Sequence, residues 1–98
     1  MNKIFFTITG TEFRYGQEFI EPGMKVLLVK EPDNKYDHEA IKAMMEGIGQ
    51  IGYVANSVRT VLGDSYSAGR LYDKFGEAVE GVVQYVLPQG VLCYIALD

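Results

Sequence analysis

Residues 30–54, KEPDNKYDHEAIKAMMEGIGQIGYV, decide how the rest of this 98-residue chain is read. The stretch packs Glu31-Pro32-Asp33-Asn34, then Tyr36-Asp37, then an apolar run beginning at Ala40. Gly47, Gly49 and Gly52 follow, around a second short apolar run that ends in Gly52-Tyr53-Val54. Pro32 biases Glu31 toward an extended conformation, because the proline ring crowds the preceding residue out of the helical region. Asp33 and Asn34 carry short polar side chains that bond to the backbone one or two residues on, so the chain should leave a strand here and turn sharply. The next segment, residues 37–45, supports two readings. Asp37 can cap a helix with Ile41, Met44 and Met45 at i, i+3 and i+4. Equally, Ala40-Lys42-Met44 alternates with Ile41-Ala43-Met45, as in a strand that hairpins through Glu46-Gly47 into residues 50–54. A helix here would be too short for propensity alone to decide, and the residues leave both readings open.

Composition bounds the rest. Ninety-eight residues, 48% hydrophobic and 22% charged, suit one small domain with a single core. The opening apolar run Ile4-Phe5-Phe6 is too short for a signal peptide, and no stretch approaches the ~20 apolar residues of a membrane span. The expectation is therefore a soluble, cytoplasmic chain with no membrane partner. Cys93 is the one cysteine, which excludes an internal disulfide and a cysteine-based zinc site, and its alternating surroundings point to a buried, inert thiol. A net charge of −4 argues against tight non-specific binding to duplex nucleic acid, which rests on the release of many counterions. Any basic surface has to come mainly from the first half of the chain, which holds Lys3, Arg14, Lys25, Lys30, Lys35 and Lys42.

Working outward, residues 3–9 are β-branched or aromatic after Lys3 and read as a first strand that Gly10 interrupts. Residues 11–19, TEFRYGQEF, set Phe13, Tyr15 and Phe19 at alternate or near-alternate positions around Gly16 and form either a bulged strand or an exposed aromatic loop. Pro22-Gly23 marks a turn. Residues 25–31 (KVLLVKE) are the clearest central strand, and Val29 and Ile41 are expected core positions. Beyond Val54, Asn56 or Ser57 can cap a helix carrying Val58, Val61 and Leu62, and Leu71 and Phe75 suggest a second short helix that Gly76 stops. Residues 78–87 and 91–97 return to strand around Pro88-Gln89-Gly90, with Gly90 expected at a position needing positive φ. Five or six strands with helix between residues 56 and 75 suit a mainly β, α+β fold, a small curled sheet or barrel with a helical cover.

Residues 31–54 resemble the HIRAN domain. The resemblance rests on Glu-Pro-x-Asn-x-Tyr-Asp-x-x-Ala-Ile, a glycine-containing hairpin, and Ile-Gly-Tyr followed by an apolar residue. It extends to the segment from Ile8 to Tyr15 around Gly10, to Pro22-Gly23 and to the late glycine Gly81. It implies a small OB-like β-barrel with helices, and on that ground assigns residues 40–45 to a strand. Members of the family accompany helicase or nuclease modules in DNA-repair proteins or stand alone in bacteria, and the use it implies is capture of a single-stranded DNA 3′ end. Aromatic rings stack on the terminal bases while polar groups contact the sugar hydroxyl and backbone. Carried onto this chain, the nucleic-acid-binding residues are Phe13, Arg14, Tyr15, Asn34, Tyr36, Asp37 and Tyr53. The implied partners are a single-stranded DNA end and a DNA-processing protein, with no cofactor. Two positions depart from the pattern: Glu39 stands where the family often has Asn, and Ala55-Asn56-Ser57 stands where it often has a basic residue. An added carboxylate and a missing cation both disfavour phosphate.

Each of these residues also has a plain structural role to play. Asn34 and Asp37 can accept backbone N–H bonds in their own turn, Tyr36 can pack over the barrel end, and Tyr53 and Val54 should divide between surface and core. Lys25, Lys30, Lys35 and Lys42 are spaced as a phosphate track or as a solvated face. A protein-interaction module on the same fold is the alternative function. Catalysis has little to stand on, since His38 and Cys93 lie in unrelated contexts, and three consecutive residues Asp37-His38-Glu39 cannot all point at one metal. Gly47, Gly49 and Gly52 lack the Lys-Ser/Thr of a phosphate loop. The expectation is a binding protein, not an enzyme.

Overall fold

Strand alternation closes the sheet on itself in the computed structural model, which describes residues 2–97. Six strands form: β1 (Asn2–Thr9), β2 (Lys25–Lys30), β3 (Ile41–Met45), β4 (Gly49–Val54), β5 (Ala78–Leu87) and β6 (Gly90–Leu97). They join in the order β1-β4-β3-β2-β5-β6 as a closed antiparallel barrel. Every other residue points inward, so Phe6, Ile8, Val26, Leu28, Ile41, Ala43, Val83, Cys93 and Ile95 fill the interior. Burying each larger side chain contributes roughly 1.5–3 kcal/mol. A short helix, α1 (Ala68–Leu71), lays Ala68 and Leu71 into the same core and runs on into a 3₁₀ turn at Tyr72–Lys74. No described helix is long and apolar enough to cross a membrane.

The ambiguous segment is a strand. β3 pairs with β2 through Leu28↔Ala43 and Val29↔Lys42, and with β4 through Lys42↔Tyr53 and Ala43↔Gly52. Hydrogen bonding on both edges outweighs the helix preference of Ala, Lys and Met. The hairpin turns through Gly47 and Gly49, whose φ of 81° and 103° few other residues adopt. The register then shifts so that Met44 pairs with Gln50, which leaves Ile51 as the extra residue of a β-bulge. This bulge buries Ile51 and still delivers Val54 inward and Tyr53 to the half-exposed surface. Gly52 is required because a Cβ there would lie 2.5 Å from the Thr9 carbonyl oxygen, where β4 crosses β1.

Three expectations are corrected, and the open choice for residues 11–19 is resolved as an exposed loop. Helix between residues 56 and 75 is confined to its second half, because residues 57–61 make a single turn held by the Thr60 and Val61 N–H groups on the Ser57 carbonyl. Val58 is 96% exposed, so the apolar stripe that would have stabilised that helix loses its first member to solvent. Val29 is only half-buried: Val26 and Leu28 take the inward positions, and Leu27 and Val29 face outward. Residues 11–19 form a loop opening with a 3₁₀ turn at Thr11–Phe13, with Phe13 82% and Tyr15 62% exposed. Gly90 does not have positive φ, and its constraint is space, since a Cβ would lie 2.9 Å from Thr7 Cγ2.

Candidate functional site

The loop from β2 to β3 is held almost entirely by its own polar groups. The Glu31 N–H donates to the Ala40 carbonyl at 2.8 Å, closing the loop at its base, and Asn34 N–H donates to the Glu31 carbonyl at 3.0 Å. Asn34 Oδ1 accepts from the N–H groups of Tyr36 (2.9 Å) and Asp37 (3.1 Å), and Asp37 Oδ1 accepts from Glu39 N–H at 2.9 Å. These are the turn bonds expected of Asn and Asp, and they fix the backbone on either side of Tyr36.

Two further links tie the loop to the barrel. Glu31 Oε1 accepts from the Tyr53 hydroxyl at 2.8 Å and from Asn34 Nδ2 at 3.2 Å, while Lys42 Nζ lies 3.9 Å from Glu31 Oε2. One carboxylate therefore sets the positions of Asn34 and Tyr53 together, and such charge-assisted bonds are stronger than neutral ones. On the other side Asn56 Nδ2 donates to Asp37 Oδ2 at 2.9 Å, and Asn56 Oδ1 accepts from Gly69 N–H at 2.8 Å. The loop is thereby joined to α1.

Between these links lies an open groove of about 630 Å³ lined by Asn34, Tyr36, Asp37, Ala40, Tyr53, Val54, Asn56 and Ser57. Four of the seven sequence-derived site residues meet here: Asn34, Tyr36, Asp37 and Tyr53. Phe13, Arg14 and Tyr15 do not line it. Their loop leaves β1 beside the groove, because Thr9 pairs with Tyr53 and Gly10, with a φ of 78°, starts the turn that follows. Two residues whose side chains hold the site together were missed by the sequence reading. Glu31 read as the end of a strand and Asn56 as the cap of a helix that does not form. Only the register that sets Lys42 beside Tyr53 and brings both to Glu31 distinguishes these positions.

The chemistry on offer is recognition by stacking and hydrogen bonding. Tyr36 is 95% exposed on a rigid backbone, so its ring face is free. Asp37 spends one lone pair of each carboxylate oxygen on Glu39 and Asn56, which leaves capacity to accept from a ligand hydroxyl. Three of the four lysines are engaged within the protein and do not form a track. Lys25 pairs with Glu80 at 3.8 Å, Lys42 with Glu31, and Lys30 donates to the Phe75 carbonyl at 2.7 Å beneath the Tyr72 and Phe75 rings. Among the described residues no three His, Cys, Asp or Glu side chains converge as a metal site requires.

A closed six-stranded antiparallel barrel with a short helical cover and a tyrosine-lined groove beside its β2–β3 loop is an OB-like barrel. The HIRAN domain matches residues 1–96, and the chain belongs to that family. Membership gives the fold nucleic-acid-binding potential. A crystal structure of a protein from Lactobacillus plantarum shares the fold, with a TM-score of 0.58 and 21% identity over 98% of each chain. No curated protein matches the sequence.

Proposed function

We propose that the groove receives the 3′ end of a single strand of DNA. The observation that carries this reading is Tyr36, a ring 95% exposed and held between two backbone-locked residues at the edge of a groove that also presents Tyr53 and Asp37. A ring so placed gives the fold almost nothing, whereas a base stacked on it gains roughly 1–3 kcal/mol. Asp37 accepts the terminal sugar hydroxyl, and its charge disfavours an additional phosphate at that point, so a free end is preferred to a phosphorylated one. Arg14, on the neighbouring loop, meets a phosphate of the strand. Binding is weak, in keeping with a net charge of −4.

A labelled single strand with a free 3′ hydroxyl, the same strand with that hydroxyl blocked, and a duplex separate the outcomes in one titration. Tighter binding of the free end supports the proposal. Equal weak binding of all three defeats it. The alternative of a protein-interaction module has its own observation, the outward aliphatic face of Leu27, Val29 and Met44 rimmed by Lys25, Lys42 and Glu80. That face lies outside the end groove, and the alternative predicts no dependence on the 3′ hydroxyl.

A further inference from the structure

The end groove is continuous with a second one. Asn56 and Ser57 line both, and the second groove, of about 340 Å³, is lined beyond them by Asp64, Ser67 and Arg70 among others. Nothing in the sequence reading singled out Arg70. Its place is nonetheless fixed to the end groove by the bonds that fix the β2–β3 loop. Asn56 holds Asp37 with its amide nitrogen and the N–H of Gly69, the residue before Arg70, with its oxygen. The Arg70 N–H bonds to Ser67 Oγ at 3.3 Å, and the guanidinium carbon stacks 4.0 Å from the centre of the Tyr66 ring. Stacking of this kind holds the planar fork in place while leaving its edge donors available.

Arg70 is the one Lys or Arg among the residues lining the two grooves, and it makes no ion pair among the described residues. Asp64 lines the same groove without pairing with Arg70, so the groove offers a cation and a separate anion. A phosphate is drawn to Arg70 and repelled from Asp64, which leaves Asp64 to the donors of a base or sugar.

We infer that a strand whose end lies in the first groove crosses Asn56 and Ser57 into the second, where Arg70 takes a phosphate upstream of the terminal nucleotide. This inference rests on the reading of the first groove as an end site. It makes Arg70 a determinant of the length of strand the protein grips. The test uses the full chain and oligothymidylates of two to six nucleotides with a free or blocked 3′ hydroxyl, titrated at several salt concentrations. Wild type should gain roughly five- to tenfold in affinity as the probe grows long enough to reach Arg70. Arg70→Gln should lose that gain and reduce the salt slope by about 0.7, the share of one single-strand phosphate, while the preference for a free end persists. Arg70→Lys should keep the salt slope. Three results overturn the inference alone: an unaltered length dependence in Arg70→Gln, an equal loss for the shortest and longest probes, or an Arg70→Lys slope as low as that of the glutamine variant. A wild type indifferent to the 3′ hydroxyl overturns the end-site reading and this inference with it.

Discussion

Replacing Tyr36 by alanine separates binding from folding. The residue is 95% exposed, so truncation uncovers little buried surface and opens no cavity. Its backbone N–H keeps its bond to Asn34 Oδ1 at 2.9 Å, because that bond does not involve the ring. Surface changes of this kind stay within about 0.5 kcal/mol, which for a chain of this size is a Tm shift of no more than ~4 °C. The binding term is larger. A stacked base is worth roughly 1–3 kcal/mol, so affinity for a free-ended single strand should fall about five- to 150-fold. Tyr36→Phe keeps the ring face and should bind nearly as wild type. Fluorescence anisotropy at low salt reads the affinity, and thermal unfolding reads the stability. Unchanged affinity in Tyr36→Ala refutes stacking, and an equal loss in Tyr36→Phe transfers the effect to the hydroxyl. A large drop in Tm would show that the ring supports the loop after all.

Two more outcomes concern the barrel. Ile41 is fully buried and Val29 half-buried on the outer face, so Ile41→Ala should cost about 2–5 kcal/mol and Val29→Ala about 1 kcal/mol or less. Chemical denaturation of the two variants side by side checks this, and similar midpoints would contradict the assigned facing of β2. Burial pushes the Cys93 thiol from its ordinary 9.0 up to about 12. Between those values the unfolded chain releases a proton that the folded chain keeps, so this contribution is fully present below pH 9.0 and is lost as pH rises toward 12. The denaturant midpoint of wild type should therefore fall relative to that of Cys93→Ala across that window, and a constant difference between the two would show that the thiol is not protected.

Much of this fold is written in local pattern. The alternation of Ile41, Ala43 and Met45 with Lys42 and Met44 is what β3 uses, yet the same residues satisfy a helical stripe. What separates the two is pairing with β2 and β4, a non-local fact. The unbroken run from Val26 to Val29 hid its own period, because Leu27 and Val29 are as apolar as the residues that enter the core. Likewise Val58, Val61 and Leu62 promised a helix face, but the turn there leaves Val58 in solvent. At the site, the Asn34-Tyr36-Asp37 turn and Tyr53 were legible as a motif and do line one groove. The bond from Tyr53 to Glu31 was not, since it depends on a register containing the bulge at Ile51. A single sequence also gives no direction to the loop bearing Arg14, and Phe13, Arg14 and Tyr15 do not line the groove that their loop adjoins.

Thr7 meets the segment that walls the groove at three points. Its carbonyl accepts from Ala55 N–H at 2.8 Å, and its buried hydroxyl lies 2.9 Å from Ser65 Oγ and accepts from Leu62 N–H at 3.1 Å. Residues 56–61 thus leave and rejoin the barrel at one strand residue, like a handle fixed at both ends to the same plate. Lengthening such a handle costs only about 0.6 kcal/mol per doubling and moves no strand. The two sides of the groove are therefore free to change at different rates. The β2–β3 side is bound up with the register of three strands through Glu31 and Ala40, whereas the handle beyond Asn56, whose amide holds Asp37 and Gly69, can be rebuilt residue by residue, altering what the groove accepts while the barrel stays as it is.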